Sequence, residues 1–250
     1  MTGASAGAKG GEKLHGYWRQ SRDLLNSLVL VLPLLVIYQV GLFATNGATL
    51  NGADFATVVI LRNWGGNGLL VFNGVLIAAG LVGLGVLRGK GRFDPKIALP
   101  LVVESTIYAF LLGVVITQVL SRLGIRPLAL VPLASGLEQH GVLARFCLAL
   151  GAGVVEELVF RLGLFSGLVL FLRKLKWPEP RALAAGVVAS SVLFSLAHYM
   201  GPEPFALYTF VYRTLAGALF CGLFLGRGLA VAVYTHAIYD VLVMIVFARG

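Results

Sequence analysis

VVEELVFRLGLF, residues 154–165, holds Glu156, Glu157 and Arg161 inside an otherwise apolar run. The run lies in a stretch, 141–171, long enough to cross a bilayer as a helix, which takes about 20 residues. An ionisable side chain at the centre of a spanning helix costs at least ~2.5 to 3.5 kcal/mol by insertion scales. Such residues therefore face a bundle interior and mark chemistry or transport.

The rest of the chain points to the same solvent. With 58% hydrophobic and 12% charged residues it is too apolar for a soluble domain. Apolar blocks of spanning length fall at 24–44, 68–87, 97–120, 141–171, 182–200, 204–225 and 228–248. The expected fold is an all-α, polytopic membrane bundle of about seven transmembrane helices. Residues 50–66, including ADFATVVILRNW, are too short to span and are a candidate eighth element, interfacial or re-entrant. A polar basic tail occupies 1–23, and the first apolar block lacks a small-residue cleavage site, so it reads as a retained helix. Residues 24–97 form an N-terminal transmembrane region. No internal repeat or second soluble domain is evident.

The net charge of +9 sits in short clusters between the apolar blocks, without aromatic interleaving or a nucleic-acid reader motif. Nucleic acid is therefore not an expected partner; the lipid bilayer is. Lys9, Lys13, Arg19 and Arg22 form one cluster, Arg88, Lys90, Arg92 and Lys96 a second, Arg173, Lys174, Lys176 and Arg181 a third. Their alternation with poorer loops predicts a cytoplasmic N-terminus and an outer C-terminus. Cys147 and Cys221 lie inside apolar blocks and read as small buried hydrophobes, not as a disulfide or metal cluster.

The charges left in apolar surroundings are Glu104, Arg145, Glu156, Glu157, Arg161, Arg213 and Asp240, joined by His198 and His236. Glu157 and Arg161 are four apart with the acid first, the favourable order for a same-face ion pair, whereas Glu156 points about 100° away and is freer to act. His236 with Asp240, and Phe194 with His198, repeat the spacing of four. At ~1.5 Å per residue, Glu156 lies ~25 Å from Arg173, His198 ~25 Å from Arg181 and Asp240 ~20 Å from Arg227, so three helices bring polar groups to one level. With the N-terminus inside, that level is in the outer half of the membrane. A purely structural reading stands beside each residue: a helix-locking pair for Glu157 and Arg161, packing for His198, mutual or backbone pairing for Glu104 and Arg213, snorkelling for Arg145. Phe160 and Phe165 read as core or lipid-facing.

A glutamate and two histidines admit three mechanisms. Histidine and carboxylate ligands could hold zinc, with Glu156, His198 and His236 as the ligand set, although no HExxH helix is present. A carboxylate could activate water directly, with histidine orienting it and polar groups stabilising the oxyanion. A serine nucleophile would need activation, and the GLFSG segment around Ser166 has no histidine placed to form a dyad. No cofactor is favoured, with zinc the alternative.

The ordered motifs E-E-x-x-x-R at Glu156, Glu157 and Arg161, F-x-x-x-H at Phe194 and His198, and H-x-x-x-D at His236 and Asp240 resemble the CPBP group of intramembrane proteases. That group includes type II CAAX prenyl endopeptidases and bacteriocin-processing or self-immunity proteins. The resemblance covers residues 98–248, which are read as the protease core. It implies a glutamate-dependent, metal-independent peptidase whose candidate catalytic set is Glu156, Glu157, Arg161, His198, His236 and Asp240. In that set Glu156 would be the base for water and His198 its partner, His236 and Asp240 would support the oxyanion, and Glu157 and Arg161 would shape the site. The last motif often ends in asparagine; an ionised Asp240 cannot donate to an oxyanion, so either it is protonated or it orients His236.

The expected substrate is a membrane-anchored protein or peptide cleaved near the outer face, as in myxosortase-like sorting relatives, with CAAX-type processing of prenylated C-termini as the alternative. The expected location is a bacterial inner (cytoplasmic) membrane. A transporter would use the same charges for ion coupling but would often show paired halves, and none is visible. A noncatalytic scaffold would tolerate loss of Glu156.

Overall fold

The computed structural model of the chain describes residues 16–44, 93–126, 141–200 and 203–247, with isolated positions between 63 and 86. The helix expected at 68–87, the candidate element at 50–66 and the start of the basic tail lie mostly outside the described residues. What is described is helical. In order come α1 (Leu24–Ala44), a 3-10 turn (Pro95–Ile97) leading into α2 (Ala98–Arg122), and α3 (Val142–Gly151). A π-helical segment (Ala152–Phe165) and α4 (Ser166–Lys174) continue α3 without a break. Then follow α5 (Glu179–Ala197) with a 3-10 turn (His198–Met200), α6 (Leu207–Arg227), α7 (Leu229–Val241) and a π turn (Leu242–Val246).

Five of these segments, Leu24–Leu42, Pro95–Arg122, Glu179–Met200, Leu207–Arg227 and Leu229–Val246, are long and apolar enough to cross a membrane. The rod running from α3 to α4 carries the charged stretch through their midst. The protein is an all-α integral membrane bundle. Its outer faces show why lipid is the solvent: α2 buries Leu101, Ser105, Ala109, Leu112, Ile116 and Leu120, spaced by three and four. It leaves Leu99, Val103, Ile107, Phe110 and Val114 more than half exposed. A row of bare aliphatic side chains on one helix face is unfavourable in water and costs nothing against acyl chains.

α7 is the hub, packing against α1, α2, α3, α6 and the π segment. Its first turns, Ala230 to Val233, are fully buried. Small residues permit this: a Cβ added to Gly153 of the π segment would sit 2.6 Å from the Ala237 backbone of α7. Likewise a Cβ on Gly217 of α6 would lie 3.0 Å from Ser191 of α5. Close backbone approach of this kind is how helices gain packing energy where no hydrophobic effect drives them together. Gly228, at φ +95°, makes the reversal between α6 and α7 against Ser21, a conformation that side-chain-bearing residues rarely adopt.

Three of the isolated charges find partners that sequence spacing did not indicate. Glu104 does not meet Arg213. Its carboxylate accepts from Arg227 Nε at 2.5 Å and Nη2 at 2.8 Å, and from the Tyr17 hydroxyl. Arg213 instead donates through both terminal nitrogens to Glu203, each at 2.9 Å. Arg145 donates to the Met244 carbonyl at 3.1 Å and ties α3 to the π turn after α7. Phe160 and Phe165 belong to the core, and Cys147 and Cys221 are buried free thiols.

Candidate active site

The π segment decides how the two glutamates present themselves. Its turns close i→i+5, and its last one is completed by Ser166, whose backbone N–H and hydroxyl both donate to the Arg161 carbonyl. That bond engages the Ser166 hydroxyl, in line with the missing dyad. A wider turn rotates successive residues by less than the ~100° of an α-helix, so Glu156 and Glu157 diverge less than α geometry predicts. Both reach His236 on α7.

Glu157 is fully buried and held by the fold through one of its oxygens. Its Oε1 accepts from His236 Nδ1–H at 2.8 Å and lies 3.1 Å from Arg161 Nη1. Arg161, also fully buried, donates from Nη2 to the Gly217 carbonyl at 3.3 Å. Its guanidinium lies 4.4 Å from the centre of the Phe194 ring and 5.2 Å from that of Phe220. The two aromatic faces take the place of water over the cation. Phe220 also stacks on the His236 imidazole at 4.4 Å, so one ring holds both Arg161 and His236.

Glu156 is held differently. Its Oε1 stands 3.9 Å from His198 Nε2 and its Oε2 3.7 Å from His236 Nε2. Asp240 Oδ2 stands 3.6 Å from the same His236 nitrogen. These gaps exceed direct hydrogen bonds. His198 ends α5, where its Nδ1–H donates to the Phe194 carbonyl at 2.9 Å, so the neutral ring turns the Nε2 lone pair toward Glu156. A cavity of about 300 Å³ opens here, lined by Glu156, His198, His236, Asp240, Arg213 and Tyr239 among others. Glu157 and Arg161 lie behind its wall. All six residues expected from the motifs thus converge, four of them on the cavity.

Ligand atoms about 2.0 Å from a tetrahedral ion are roughly 3.4 Å apart. The Glu156 contacts to His198 and His236 are 3.9 and 3.7 Å, and among the described residues no group of three His, Cys, Asp or Glu side chains has metal-binding geometry. No step below passes through a metal.

Residues 138–242 match the family model described as type II CAAX prenyl endopeptidase Rce1-like. No curated protein and no solved structure matches the chain. The Rce1-like match spans the π segment and α5 to α7, hence every residue of the site, and accords with the CPBP resemblance. It supports an intramembrane endopeptidase.

Other contributors to the Rce1-like region were not singled out as site residues from sequence. Glu203 and Arg213 form a fork-to-fork pair at the cavity edge, beside the Tyr199 ring. The hydroxyls of Tyr212 and Tyr239 are hydrogen-bonded to each other across α6 and α7. Arg213 was recognisable as a charge in an apolar block. Its partner was not, because Glu203 reaches it from a loop whose path no periodicity encodes.

Proposed function

We propose that the protein hydrolyses a peptide bond of a membrane-anchored protein or peptide, with Glu156 activating the attacking water. One observation carries this reading: of two adjacent buried glutamates, Glu157 is engaged through Oε1 by His236 and Arg161, while Glu156 faces the cavity 3.7 and 3.9 Å from two imidazole nitrogens. Water between Glu156 and His198 gives one proton to the Glu156 carboxylate and hydrogen-bonds through the other to His198 Nε2. Its oxygen attacks the carbonyl carbon, the tetrahedral intermediate collapses with cleavage of the C–N bond, and Glu156 returns the proton to the departing amine. Glu157 fixes the orientation of His236, and Asp240 faces the same imidazole.

The expected N-terminus is cytoplasmic and the membrane a bacterial inner membrane, so the cavity would open toward the outer side; a C-terminal reporter found in the cytoplasm would reverse that assignment. A second reading, processing of prenylated C-termini, draws support from the description of the matched family. It also draws on an apolar groove of about 310 Å³ between α2 and α6, lined by Leu111, Val115, Leu219 and Leu223 among others. Terminal proteomics of membranes carrying the active chain or its Glu156→Ala variant tests the function and names the substrate. New termini should vanish in Glu156→Ala and in His198→Ala while both proteins still accumulate, and undiminished processing by both would end the proteolytic reading.

A further inference from the structure

A tetrahedral intermediate puts negative charge on the former carbonyl oxygen, and the largest catalytic contributions come from donors already aimed at that charge. Few donors face this cavity. The carboxylates of Glu156 and Asp240 only accept when ionised. His198 has spent its Nδ1–H on the Phe194 carbonyl, and His236 its Nδ1–H on Glu157, so each donates from Nε2 only as an imidazolium. Arg213 gives one N–H from each terminal nitrogen to Glu203, which holds its guanidinium at the cavity edge.

Tyr212 and Tyr239 are neutral hydroxyl donors on the same lining. Their hydroxyls bond to each other, and both residues line the cavity with Glu156. Two hydroxyls hold two protons, and one bond uses one of them. The second proton has no acceptor among the described residues. Tyr212 is 6% exposed and packed into the Leu112, Ile116 and Phe220 cluster, whereas Tyr239 is the less buried ring, one helical turn beyond His236 on the same face of α7. Where Tyr212 is the donor to Tyr239, the Tyr239 proton is the one free to enter the cavity. Gly113 of α2 leaves room for the pair, since a Cβ there would lie 3.3 Å from the Tyr239 ring.

We infer that Tyr239, oriented by Tyr212, donates the hydrogen bond that stabilises the oxyanion in this cavity. The inference rests on the proteolytic reading and deepens it. No proton leaves Tyr239: the water's proton travels to Glu156 and on to the amine, and the phenol keeps its own while sharing it with the oxyanion. This role is open in a chain that carries Asp240 wherever that carboxylate is ionised and so cannot donate.

The test uses the full-length chain in membranes and measures, after pulse labelling, how fast the Glu156-dependent new termini appear. Tyr239→Phe and Tyr212→Phe are compared at equal membrane abundance. Both remove the same inter-tyrosine bond, so a merely structural pair would make the two variants equally slow and equally less heat-stable in detergent. Tyr239→Phe is expected to slow processing about 100- to 1000-fold, the usual loss for one oxyanion donor. Tyr212→Phe, which keeps the Tyr239 hydroxyl, is expected to stay within about tenfold of the unsubstituted chain. Equal slowing of the two, or an unaltered rate in Tyr239→Phe, would overturn the inference while complete loss in Glu156→Ala left the proteolytic reading intact. Absence of any Glu156-dependent termini would overturn both.

Discussion

Two buried carboxylate–arginine clusters, built from the same chemistry, come to opposite ends in this protein. At the α6–α7 reversal, Glu104 grips Arg227 at two points, Tyr17 donates to the same carboxylate, and the Trp18 and Tyr17 rings cover the guanidinium at 4.0 and 5.2 Å. The carboxylate is fully occupied, and the cluster pins the N-terminal helical turn to the core. On the π segment, Glu157 and Arg161 close a similar unit with Phe194 and Phe220, but a second carboxylate, Glu156, is left over beside a cavity. Closure makes a clamp, and surplus makes a site. Charge in a membrane is thus a weak sign of function until its partners are counted.

The contrast can be broken most forcefully at Glu156. Glu156→Ala should lower processing by about 10²- to 10⁴-fold, the span of general acid–base catalysis, with little change in the thermal midpoint of the detergent-solubilised protein. Next comes Glu104→Ala, which strands Arg227 without its carboxylate. Removing one partner of a buried pair costs about 3 to 5 kcal/mol, seen as a lower unfolding midpoint, while the folded fraction should still process at a near-normal rate. If instead Glu104→Ala stopped turnover without loss of stability, the division into clamp and site would fail. Arg161→Lys should give an intermediate outcome, weaker folding together with slower processing, because a lysine loses the planar stacking between two rings that positions Glu157 and hence His236. Both rates should be unaffected when purified protein is exhaustively chelated. Smallest of all, Arg173→Ala should shift stability by no more than about 0.5 kcal/mol, since its 3.6 Å pair with Glu179 is more than half exposed at both ends.

Much of the site was legible because its parts lie on single helices. A spacing of four puts Glu157 beside Arg161 and His236 beside Asp240 whatever else the chain does, and the helical rise brings the three motifs to a common depth. The same logic reached too far for Glu104, Arg145 and Arg213. Their partners, Arg227, the Met244 carbonyl and Glu203, lie on other elements or in a loop, at separations that no helical period encodes. The π winding was equally hidden, because it arises from a hydrogen-bond register that apolar periodicity does not distinguish from an α-helix.

By itself the sequence determined that this chain lives in a bilayer, that its helices carry a carboxylate pair and two histidines at matching levels, and that Glu157 has an arginine within reach. Those are consequences of composition and of local geometry, which need no knowledge of neighbours. Only the tertiary structure decided that His236 takes Glu157 and leaves Glu156 facing the cavity, that Arg227 rather than Arg213 neutralises Glu104, and that two tyrosines meet across α6 and α7. The physical reason is that helices in a membrane dock through small residues such as Gly153 and Gly217, and that docking selects which of several possible polar partners come within hydrogen-bonding distance.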